Sequence, residues 1–274
     1  MFQYQGKTAL ITGASAGIGA EFARALATRG ANVILVARSE DRLRALAAEL
    51  ARDHGVRAEV IAADLTRSDT VRELRATVDA RGLTVDLLVN NAGFGTYAPF
   101  ETLAPERDHD EVTLNVAAVV DLTHLLLPAM LAKGDGAVVN VASVAAFMPG
   151  PYSAVYGATK AFVLSFSEAL WAECRGRGVR VLALCPGATA TEFFNVLGTD
   201  AAATFGAKRA PAQVVETGLR ALERNRGYAV DGLANYLVAQ ASRVLPRGLV
   251  ARLMERVARP RQAAPRQDTV AQHR

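Results

Sequence analysis

The sequence predicts an α/β protein: a single doubly wound domain whose sheet is mostly or wholly parallel, with helices on both faces. Short apolar runs alternate along the chain with stretches of helical periodicity. The apolar runs are nearly continuous, as expected for parallel strands buried on both sides. Hydrophobic residues make up 51% of the 274 residues and charged residues 21%, enough for one large soluble core.

The predicted elements follow one another in strict alternation. Strands are expected at residues 7–12, 32–37, 58–63, 85–90, 137–142 and 179–185. A first helix follows the glycine that ends the first strand and runs to about Gly30, and the second carries Leu43, Leu46, Ala47 and Leu50 before ending at Gly55. Further helices are expected at about 68–81, 106–133 and 154–175. Ligands of such sheets bind at the carboxyl ends of the strands, so functional residues are expected there.

Composition and cysteine use narrow the class of protein. No uninterrupted apolar run reaches the ~20 residues of a membrane helix, and residues 1–5 lack the pattern of a signal peptide. With Cys174 and Cys185 as the two cysteines, we expect a reduced, cytoplasmic protein without a disulfide framework. The four histidines show no metal-ligand spacing, so no metal is expected.

The basic charge of the chain is concentrated at its C-terminus. Residues 243–274 hold eight arginines and two acidic residues, a balance of +6, whereas residues 1–242 hold 23 basic and 25 acidic residues, a balance of −2. The overall net charge of +4 therefore gives no reason to expect nucleic-acid binding.

The first predicted strand ends in a glycine-rich turn that leads directly into a helix. Its residues are Thr12, Gly13, Ala14, Ser15, Ala16, Gly17, Ile18 and Gly19. Glycines let the backbone approach a pyrophosphate, and a helix N-terminus offers free N–H groups and a positive dipole. The spacing differs from the commoner G-x-G-x-x-G, and a tight turn without a ligand is the alternative interpretation. Its position between strand and helix favours dinucleotide binding.

The end of the second strand indicates which dinucleotide. An NAD enzyme usually places a carboxylate there for the ribose 2′-hydroxyl, but this strand is followed by Arg38 and Ser39. An arginine can bind a 2′-phosphate through two parallel hydrogen bonds. The alternative is a solvated arginine at the start of a charged helix. We expect NADP rather than NAD.

Tyr156 and Lys160 are four residues apart in a helical pattern, and Ser143 follows a predicted strand. Residues at this spacing project from one helix face. A neighbouring ammonium group favours the phenolate and is expected to lower the tyrosine pKa toward the working range, while a serine hydroxyl can orient a carbonyl oxygen. A Tyr-x-x-x-Lys pair alone also occurs by chance, but together with the glycine turn it indicates acid–base catalysis.

The sequence resembles the short-chain dehydrogenase/reductase family over roughly residues 6–232. The motifs that carry the resemblance occur in order: Thr12-Gly13-x-x-x-Gly17-Ile18-Gly19, Asp64-Leu65, Asn90-Asn91-Ala92-Gly93, Asn115, Ser143, Tyr156-x-x-x-Lys160 and Pro186-Gly187. The resemblance implies a single Rossmann-type domain and a catalytic set of Ser143, Tyr156, Lys160 and Asn115. In the family the tyrosine is the acid/base, the serine steadies the substrate oxygen, the lysine holds the nicotinamide ribose, and the asparagine completes a proton relay.

The resemblance also extends the expected cofactor site. Asp64 would meet the adenine, Asn91 the adenosine ribose region, and Thr189 and Thr191 the carboxamide. Some NADP-binding members carry a second basic residue in the glycine turn, where this chain has Ala16, so the NADP prediction depends on Arg38. The expected cofactor residues are Gly13, Ser15, Ala16, Gly17, Ile18, Gly19, Arg38, Ser39, Asp64, Leu65, Asn91, Ala92, Gly93, Tyr156, Lys160, Pro186, Gly187, Thr189 and Thr191.

Apolar residues at the strand ends predict a hydrophobic substrate. The expected pocket residues are Phe94, Phe147, Tyr152, Phe193 and Phe194, with Tyr97 and Met148 nearby and Val196, Leu197 and Phe205 in a lid-like segment. Such walls suit a small to medium hydrophobic carbonyl compound or alcohol, such as an aldehyde, ketone, steroid-like ring system or acyl thioester. Within the family, the chain resembles a bacterial branch near hydroxysteroid dehydrogenases and 3-ketoacyl reductases. The family resemblance also implies a homodimer or homotetramer that assembles through the helices at 106–133 and 154–175.

Two readings of the C-terminus and two alternative functions remain open. We expect residues 1–242 to form the dinucleotide-binding and catalytic domain and residues 243–274 a basic amphipathic helical tail, frayed at its end. In that tail Leu249, Val250, Leu253, Met254 and Val257 share one helical face. The tail would pack on the pocket or a partner, or make peripheral contact with an anionic membrane. The alternatives to an enzyme are a non-catalytic NADP(H)-binding regulator and a membrane-surface protein acting through this tail.

Overall fold

The computed structural model describes residues 2–67, 69–193 and 208–259. Within these residues seven strands form one wholly parallel sheet in the order β3-β2-β1-β4-β5-β6-β7. The strands are β1 (Thr8–Thr12), β2 (Asn32–Ala37), β3 (Ala58–Ala62), β4 (Leu87–Asn90), β5 (Gly136–Val141), β6 (Val179–Cys185) and β7 (Tyr228–Val230). The predicted doubly wound α/β fold is confirmed.

The helices lie on both faces of this sheet. They are α1 (Gly17–Thr28), α2 (Glu40–His54), α3 (Thr70–Ala80), α4 (Pro105–Val112), α5 (Ala118–Lys133), α6 (Ala154–Cys174), α7 (Pro211–Glu223), α8 (Leu233–Val244) and α9 (Arg247–Ala258). One turn of π-helix, Thr113–Ala117, joins α4 to α5, so the helix predicted over 106–133 is continuous but locally widened.

Alternate residues of each strand enter two separate hydrophobic cores. Ile11 and Leu35 face the core formed with α1, α2 and α7, whereas their neighbours Leu10 and Ile34 face the core formed with α3, α5 and α6. This alternation follows from the two-residue period of a strand. Because both faces are covered, the strands are apolar at nearly every position, which explains why they were predictable from the sequence.

The helical run Pro105–Lys133 is long and apolar enough, by length and composition, to cross a membrane, and it is the one such run in the part of the chain described above. Core helices of soluble proteins meet the same criterion. Here Leu122, Leu126 and Met130 of α5 are buried against the sheet. This packing accounts for part of the apolar composition of the run.

The two C-terminal helices pack over the carboxyl end of the sheet. Val250 is buried and Met254 and Ala258 turn toward the cavity described below, so α9 packs through positions four residues apart. Of the five residues predicted to share one apolar face, Leu249, Leu253 and Val257 are each at least 44% exposed, so only part of that face is buried. The residues predicted to fray, from 262 onward, lie outside the described part of the chain.

Candidate active site

The carboxyl ends of the central strands open into a cavity of about 600 Å³. It is lined by residues from every predicted motif except Asn115: Gly13, Ser15, Ala16, Gly17, Ile18, Arg38, Ser39, Asp64, Leu65, Asn91, Ala92, Gly93, Ser143, Tyr156, Lys160, Pro186, Gly187, Thr189 and Thr191. Parallel strands bring these ends together although the residues are up to 178 positions apart in the chain. Among the expected catalytic and cofactor residues, Gly19 and Asn115 do not line the cavity.

The glycine turn is shaped by close backbone approaches. Gly13 has φ of +64°, and a Cβ there would lie 2.8 Å from Nδ2 of Asn91. At Gly19 a Cβ would lie 2.2 Å from the carbonyl oxygen of Gly13, so no larger residue fits without moving the backbone. The Asn91 amide donates to the carbonyl oxygens of Thr12 (3.0 Å) and Gly13 (3.2 Å), which holds the turn against the end of β4.

The N-terminus of α1 faces the same cavity. Gly17 begins the helix with φ of +56°, and no side chain caps the helix at Ala16. The first N–H groups of the helix are therefore available to an anion, and the helix dipole adds a favourable field. The arrangement fits the pyrophosphate of a dinucleotide.

Arg38 and Asp64 stand side by side at the ends of β2 and β3. Arg38 is exposed and lines the cavity, and its charge acts on the Asp64 carboxylate. Burial raises the pKa of Asp64. Hydrogen bonds from the N–H (3.1 Å) and hydroxyl (2.8 Å) of Thr66, together with the positive charges of Arg38 and Arg67, lower it by more, so the net pKa lies below the ordinary value. The carboxylate is thus ionised and fixed, and the guanidinium is turned toward the cavity.

Ser143, Tyr156 and Lys160 meet where β5 ends. The Ser143 hydroxyl caps a 3₁₀ turn by accepting the N–H of Ala145 at 3.1 Å, which orients it beside the strand end. Lys160 is 5% exposed; its Nζ donates to the carbonyl oxygen of Val141 at 2.9 Å and lies 5.8 Å from the centroid of the Tyr156 ring. One helical turn of α6 separates the phenol from the ammonium group, as predicted from their spacing.

Burial controls the acidity of this pair. It raises the pKa of Tyr156 to about 12; the Ser143 hydroxyl lowers this value and the charge of Glu111 raises it. Burial also lowers the pKa of Lys160 to about 8, against the opposing charges of Glu111 and Cys185. The expectation that Lys160 brings the phenol pKa toward neutrality is not met in this arrangement, because burial, and not the charge of Lys160, governs the pKa of Tyr156.

Asn115 supports the site from behind rather than lining it. Its buried Oδ1 accepts the N–H of Phe94 at 3.2 Å, and its Nδ2 donates to the carbonyl oxygen of Phe94 (2.9 Å) and the hydroxyl of Thr159 (3.1 Å). Thr159 precedes Lys160 on α6, so the amide connects the loop after β4 with the helix that carries the lysine. The π-helical turn places Asn115 in this position.

The predicted substrate pocket is partly different in the structure. Phe94 and Phe193 line the cavity, and the Phe193 ring lies 5.6 Å from that of Tyr156. Phe147 and Tyr152 do not line it: Phe147 packs on Tyr228 and the hydroxyl of Tyr152 donates to Glu255 at 3.2 Å. Phe194, like Val196, Leu197 and Phe205, lies outside the described residues.

The C-terminal helices supply lining residues that sequence reasoning missed. Asn235 and Val238 of α8 and Met254 and Ala258 of α9 complete the cavity wall. A Cβ at Gly187 would lie 2.2 Å from Nδ2 of Asn235, which shows how closely α8 approaches the loop after β6. The i, i+4 spacing of Met254 and Ala258 could have indicated an inward stripe on α9, but the apolar face of this helix is wider than that stripe.

Comparison with known proteins places this site in a family. Residues 7–202 match the family described as short chain dehydrogenase. The chain is 32% identical over 248 residues to bovine very-long-chain 3-oxoacyl-CoA reductase, covering 88% of this chain and 76% of that protein. The chain belongs to the short-chain dehydrogenase family. As a member it is an oxidoreductase that interconverts carbonyl and hydroxyl groups.

Other relatives show the range of the family around this chain. Human 17-beta-hydroxysteroid dehydrogenase type 3 is 36% identical over 197 residues, which span 71% of this chain and 63% of the human protein. A short-chain dehydrogenase from Sphingobium yanoikuyae in complex with NADPH has a TM-score of 0.77 and 36% identity, covering 94% of this chain and 98% of its own. A 3-ketoacyl-(acyl-carrier-protein) reductase from Brucella melitensis complexed with NADH has a TM-score of 0.73 and 33% identity, covering 83% of this chain and 97% of its own.

Proposed function

We propose that this protein is an NADP(H)-dependent carbonyl reductase or alcohol dehydrogenase acting on a small to medium hydrophobic substrate. The observation that carries the proposal is the convergence, in one cavity, of the glycine turn, Arg38 and the set Ser143, Tyr156 and Lys160. A protein that only senses the cofactor would need the glycine turn and Arg38 but not the set Ser143, Tyr156 and Lys160. The complete acid–base set favours turnover.

The residues present fit a dinucleotide phosphate. The close approaches at Gly13 and Gly19 leave a side-chain-free cradle in front of α1, and Arg38 stands where the adenosine end of such a ligand would lie. The NADPH-bound Sphingobium structure supports NADP, and the NADH-bound Brucella structure shows that related folds also take the other cofactor. We infer NADP from the arginine, because a guanidinium binds a phosphate better than a hydroxyl.

The chain's own residues would act as follows in the reductive direction. When bound, the reduced nicotinamide supplies the hydride. Tyr156, whose pKa of about 12 keeps it protonated at neutral pH, donates its proton to the substrate oxygen. Ser143 donates a hydrogen bond to the same oxygen as negative charge develops on it, and Lys160 stabilises the resulting tyrosinate through its nearby positive charge. Asn115 holds the base of α6 in place.

The walls of the cavity indicate the substrate class. Beyond the motif residues the lining includes the polar side chains of Arg107, Asp110, Glu192 and Asn235. Its apolar part includes Phe94, Tyr97, Met148, Phe193 and Met254. Such side chains favour an extended or ring-shaped apolar carbonyl compound over a sugar, and relatives named for acyl-CoA and steroid substrates agree with this inference.

A substrate panel tests the proposal. NADPH consumption is measured with hydrophobic ketones, aldehydes and acyl thioesters of increasing chain length, with ketose sugars as the polar comparison. We expect kcat/KM to rise with apolar size. Equal or better turnover of the sugars would refute the substrate assignment.

We also propose a homodimer or homotetramer assembled through α4, α5 and α6. Val112 is 44% exposed and Phe162 42% exposed on the outer faces of these helices, and Phe162 stacks on Phe166. Light scattering of the wild type and of Phe162→Glu tests this, with a smaller particle expected for the variant. An unchanged mass would contradict an interface at Phe162. The cytoplasmic location stays a prediction.

A further inference from the structure

Exposed large hydrophobic side chains are concentrated in the two C-terminal helices. Among the described residues eleven such side chains are exposed, and eight lie between residues 233 and 257. Single exposed apolar residues are ordinary, but a concentration of this kind marks an interaction surface. We call it the α8–α9 apolar surface; it consists of Leu233, Tyr236, Leu237, Val244, Leu245, Leu249, Leu253 and Val257.

The position of this surface follows from the packing of its helices. Asn235 and Val238 of α8 and Met254 and Ala258 of α9 turn inward to line the same cavity. On α8, Leu233, Leu237 and Val244 lie opposite these inward residues, whereas on α9 the exposed apolar residues lie on the flank next to them. The surface lies beside the cavity, on the helices that form its outer wall.

The charged residues of the segment 233–259 are mostly arginines. Arg243, Arg247, Arg252, Arg256 and Arg259 are all exposed, and Glu255 is the one acidic residue between 233 and 259. Glu255 accepts hydrogen bonds from Arg259 at 2.7 Å and from the hydroxyl of Tyr152 at 3.2 Å. The segment thus carries a net charge of +4.

We propose that the α8–α9 apolar surface docks on an anionic lipid bilayer. Apolar side chains flanked by arginines enter the interface between acyl chains and headgroups, where the guanidinium groups meet lipid phosphates. A second copy of the chain is a poorer occupant, because a two-fold interface would place each set of arginines against the same set. Docking does not require the proposed function, although it would bring the cavity close to lipid-soluble substrates.

Vesicle sedimentation of the full chain tests the docking. The probes are phosphatidylcholine vesicles with and without phosphatidylglycerol, at low and high salt. We expect binding only to the anionic vesicles, weakened by salt. Leu249→Ser/Leu253→Ser and Arg252→Glu/Arg256→Glu should each reduce the bound fraction, the charge reversal by roughly tenfold or more.

A matched variant separates local from overall charge. Arg44→Glu/Arg52→Glu makes the same charge change at exposed positions of α2 and should bind like the wild type. Thermal melting confirms that each variant is folded. Equal loss of binding in this control, equal binding to neutral vesicles, or a particle that dimerises through α9 without binding vesicles would each overturn the proposal.

A second, independent observation concerns a buried carboxyl group beside the candidate catalytic residues. Glu111 of α4 is fully buried; its Oε2 accepts the hydroxyl of Thr96 at 2.8 Å, and its Oε1 has no hydrogen-bond partner in the described part of the chain. An ionised carboxylate in such a place is costly. Burial accordingly raises the pKa of Glu111 to about 7.

Glu111 is placed to communicate with the acid–base pair. It lies one helical turn before Asn115, and its charge acts on both Tyr156 and Lys160. The charged groups around it are Asp108 and Arg107 of its own helix and Lys160 of α6. A Cβ at Gly93 would lie 2.8 Å from Oδ1 of Asn115 and 3.4 Å from Nζ of Lys160, so the loop after β4 closely approaches both of these side chains.

We infer that Glu111 is a positioning residue that supplies the proton by which Lys160 and Tyr156 are restored after each turnover. This rests on the proposed function. Tyr156 gives its proton to the product oxygen, Lys160 returns a proton to the tyrosinate, the Glu111 carboxyl O–H restores the ammonium, and solvent reprotonates Glu111. One proton enters from solvent for each hydride delivered.

Rapid-mixing kinetics of Glu111→Gln test this assignment. Glutamine keeps an oxygen for the Thr96 hydroxyl but cannot transfer a proton. We expect a first turnover at the wild-type rate, because Tyr156 is already protonated, followed by steady-state turnover slowed roughly tenfold or more. The step near pH 7 in the wild-type kcat profile should disappear.

The outcomes are distinguishable. A variant whose first and later turnovers slow equally would show a structural role only. An unchanged pH profile with unchanged steady-state turnover would overturn the inference while leaving the proposed function intact. A wild type that never oxidises NADPH would instead refute the proposed function.

Discussion

Arg38 provides a sharp test of cofactor selection. Its guanidinium lines the cavity at the end of β2 and carries the NADP prediction alone, because Ala16 occupies the position in the glycine turn where a second basic residue would help. A hydrogen bond to a charged group contributes about 1.5–3 kcal/mol. Arg38 is exposed, so we take the lower end, about 1.5 kcal/mol, which corresponds to roughly tenfold in affinity.

We therefore expect Arg38→Ala to weaken NADPH binding roughly tenfold and to leave NADH binding nearly unchanged, as measured by fluorescence titration. Arg38→Asp should go further and favour NADH, since a carboxylate repels the 2′-phosphate and accepts a hydrogen bond from the ribose hydroxyl. Arg44→Ala, at an exposed arginine of the following helix α2 that does not line the cavity, is the matched control. Equal loss of both cofactors in Arg38→Ala would refute the assigned phosphate contact.

Three further predictions follow from the site geometry. Ser143→Ala should lower kcat by roughly a hundredfold with a smaller change in KM, because its hydrogen bond strengthens as charge develops; a KM effect alone in steady-state assays would contradict this. The rate of carbonyl reduction should fall as pH rises through about 8, because Lys160 loses its positive charge there. A rate that does not change with pH over this range would exclude a role for the Lys160 charge in the reaction. Gly19→Ala should lower the melting temperature and abolish NADPH binding, because the new Cβ would lie 2.2 Å from the Gly13 carbonyl oxygen. Gly248→Ala should be tolerated, because no atom lies within 4 Å of a Cβ at that position. Similar melting curves for the two variants would contradict the steric argument.

The sequence predicted the features that depend on short stretches of chain. The bounds of β2 and β6 were predicted to the residue, because strands covered on both faces are apolar throughout and end at turn residues or charged helices. The glycine turn, Ser143 and the Tyr156–Lys160 pair were equally visible, since each is defined by local spacing. The topology then brought them to one cavity.

Features that depend on tertiary packing were not predictable in the same way. β7 has three residues, too few for a pattern, and is held by pairing with β6. Phe147 and Tyr152 follow the strand end as expected, but contacts with Tyr228 and Glu255 turn them from the cavity. On α9 the apolar residues cover one wide face, and only the neighbouring cavity decides which part of it is buried.

Glu111 shows the same limit for charged residues. It lies in a polar stretch that includes Asp108 and Asp110, where the sequence indicates a solvated helix surface. The loop after β4 covers it with Thr96, and burial then changes its acidity. A buried carboxyl of this kind is recognised only after the loop and helix are placed together.

The central claim is that Tyr156 is the acid of an NADPH-dependent reduction in this cavity. The most direct test measures hydride transfer from NADPH to a hydrophobic ketone by stopped-flow absorbance for the wild type and Tyr156→Phe, with the NADPH dissociation constant of each. We predict unchanged NADPH binding and a hydride-transfer rate that falls at least a hundredfold, the loss of one general acid. A variant that retains more than about a tenth of the wild-type rate would contradict the assignment of Tyr156 and the mechanism built on it.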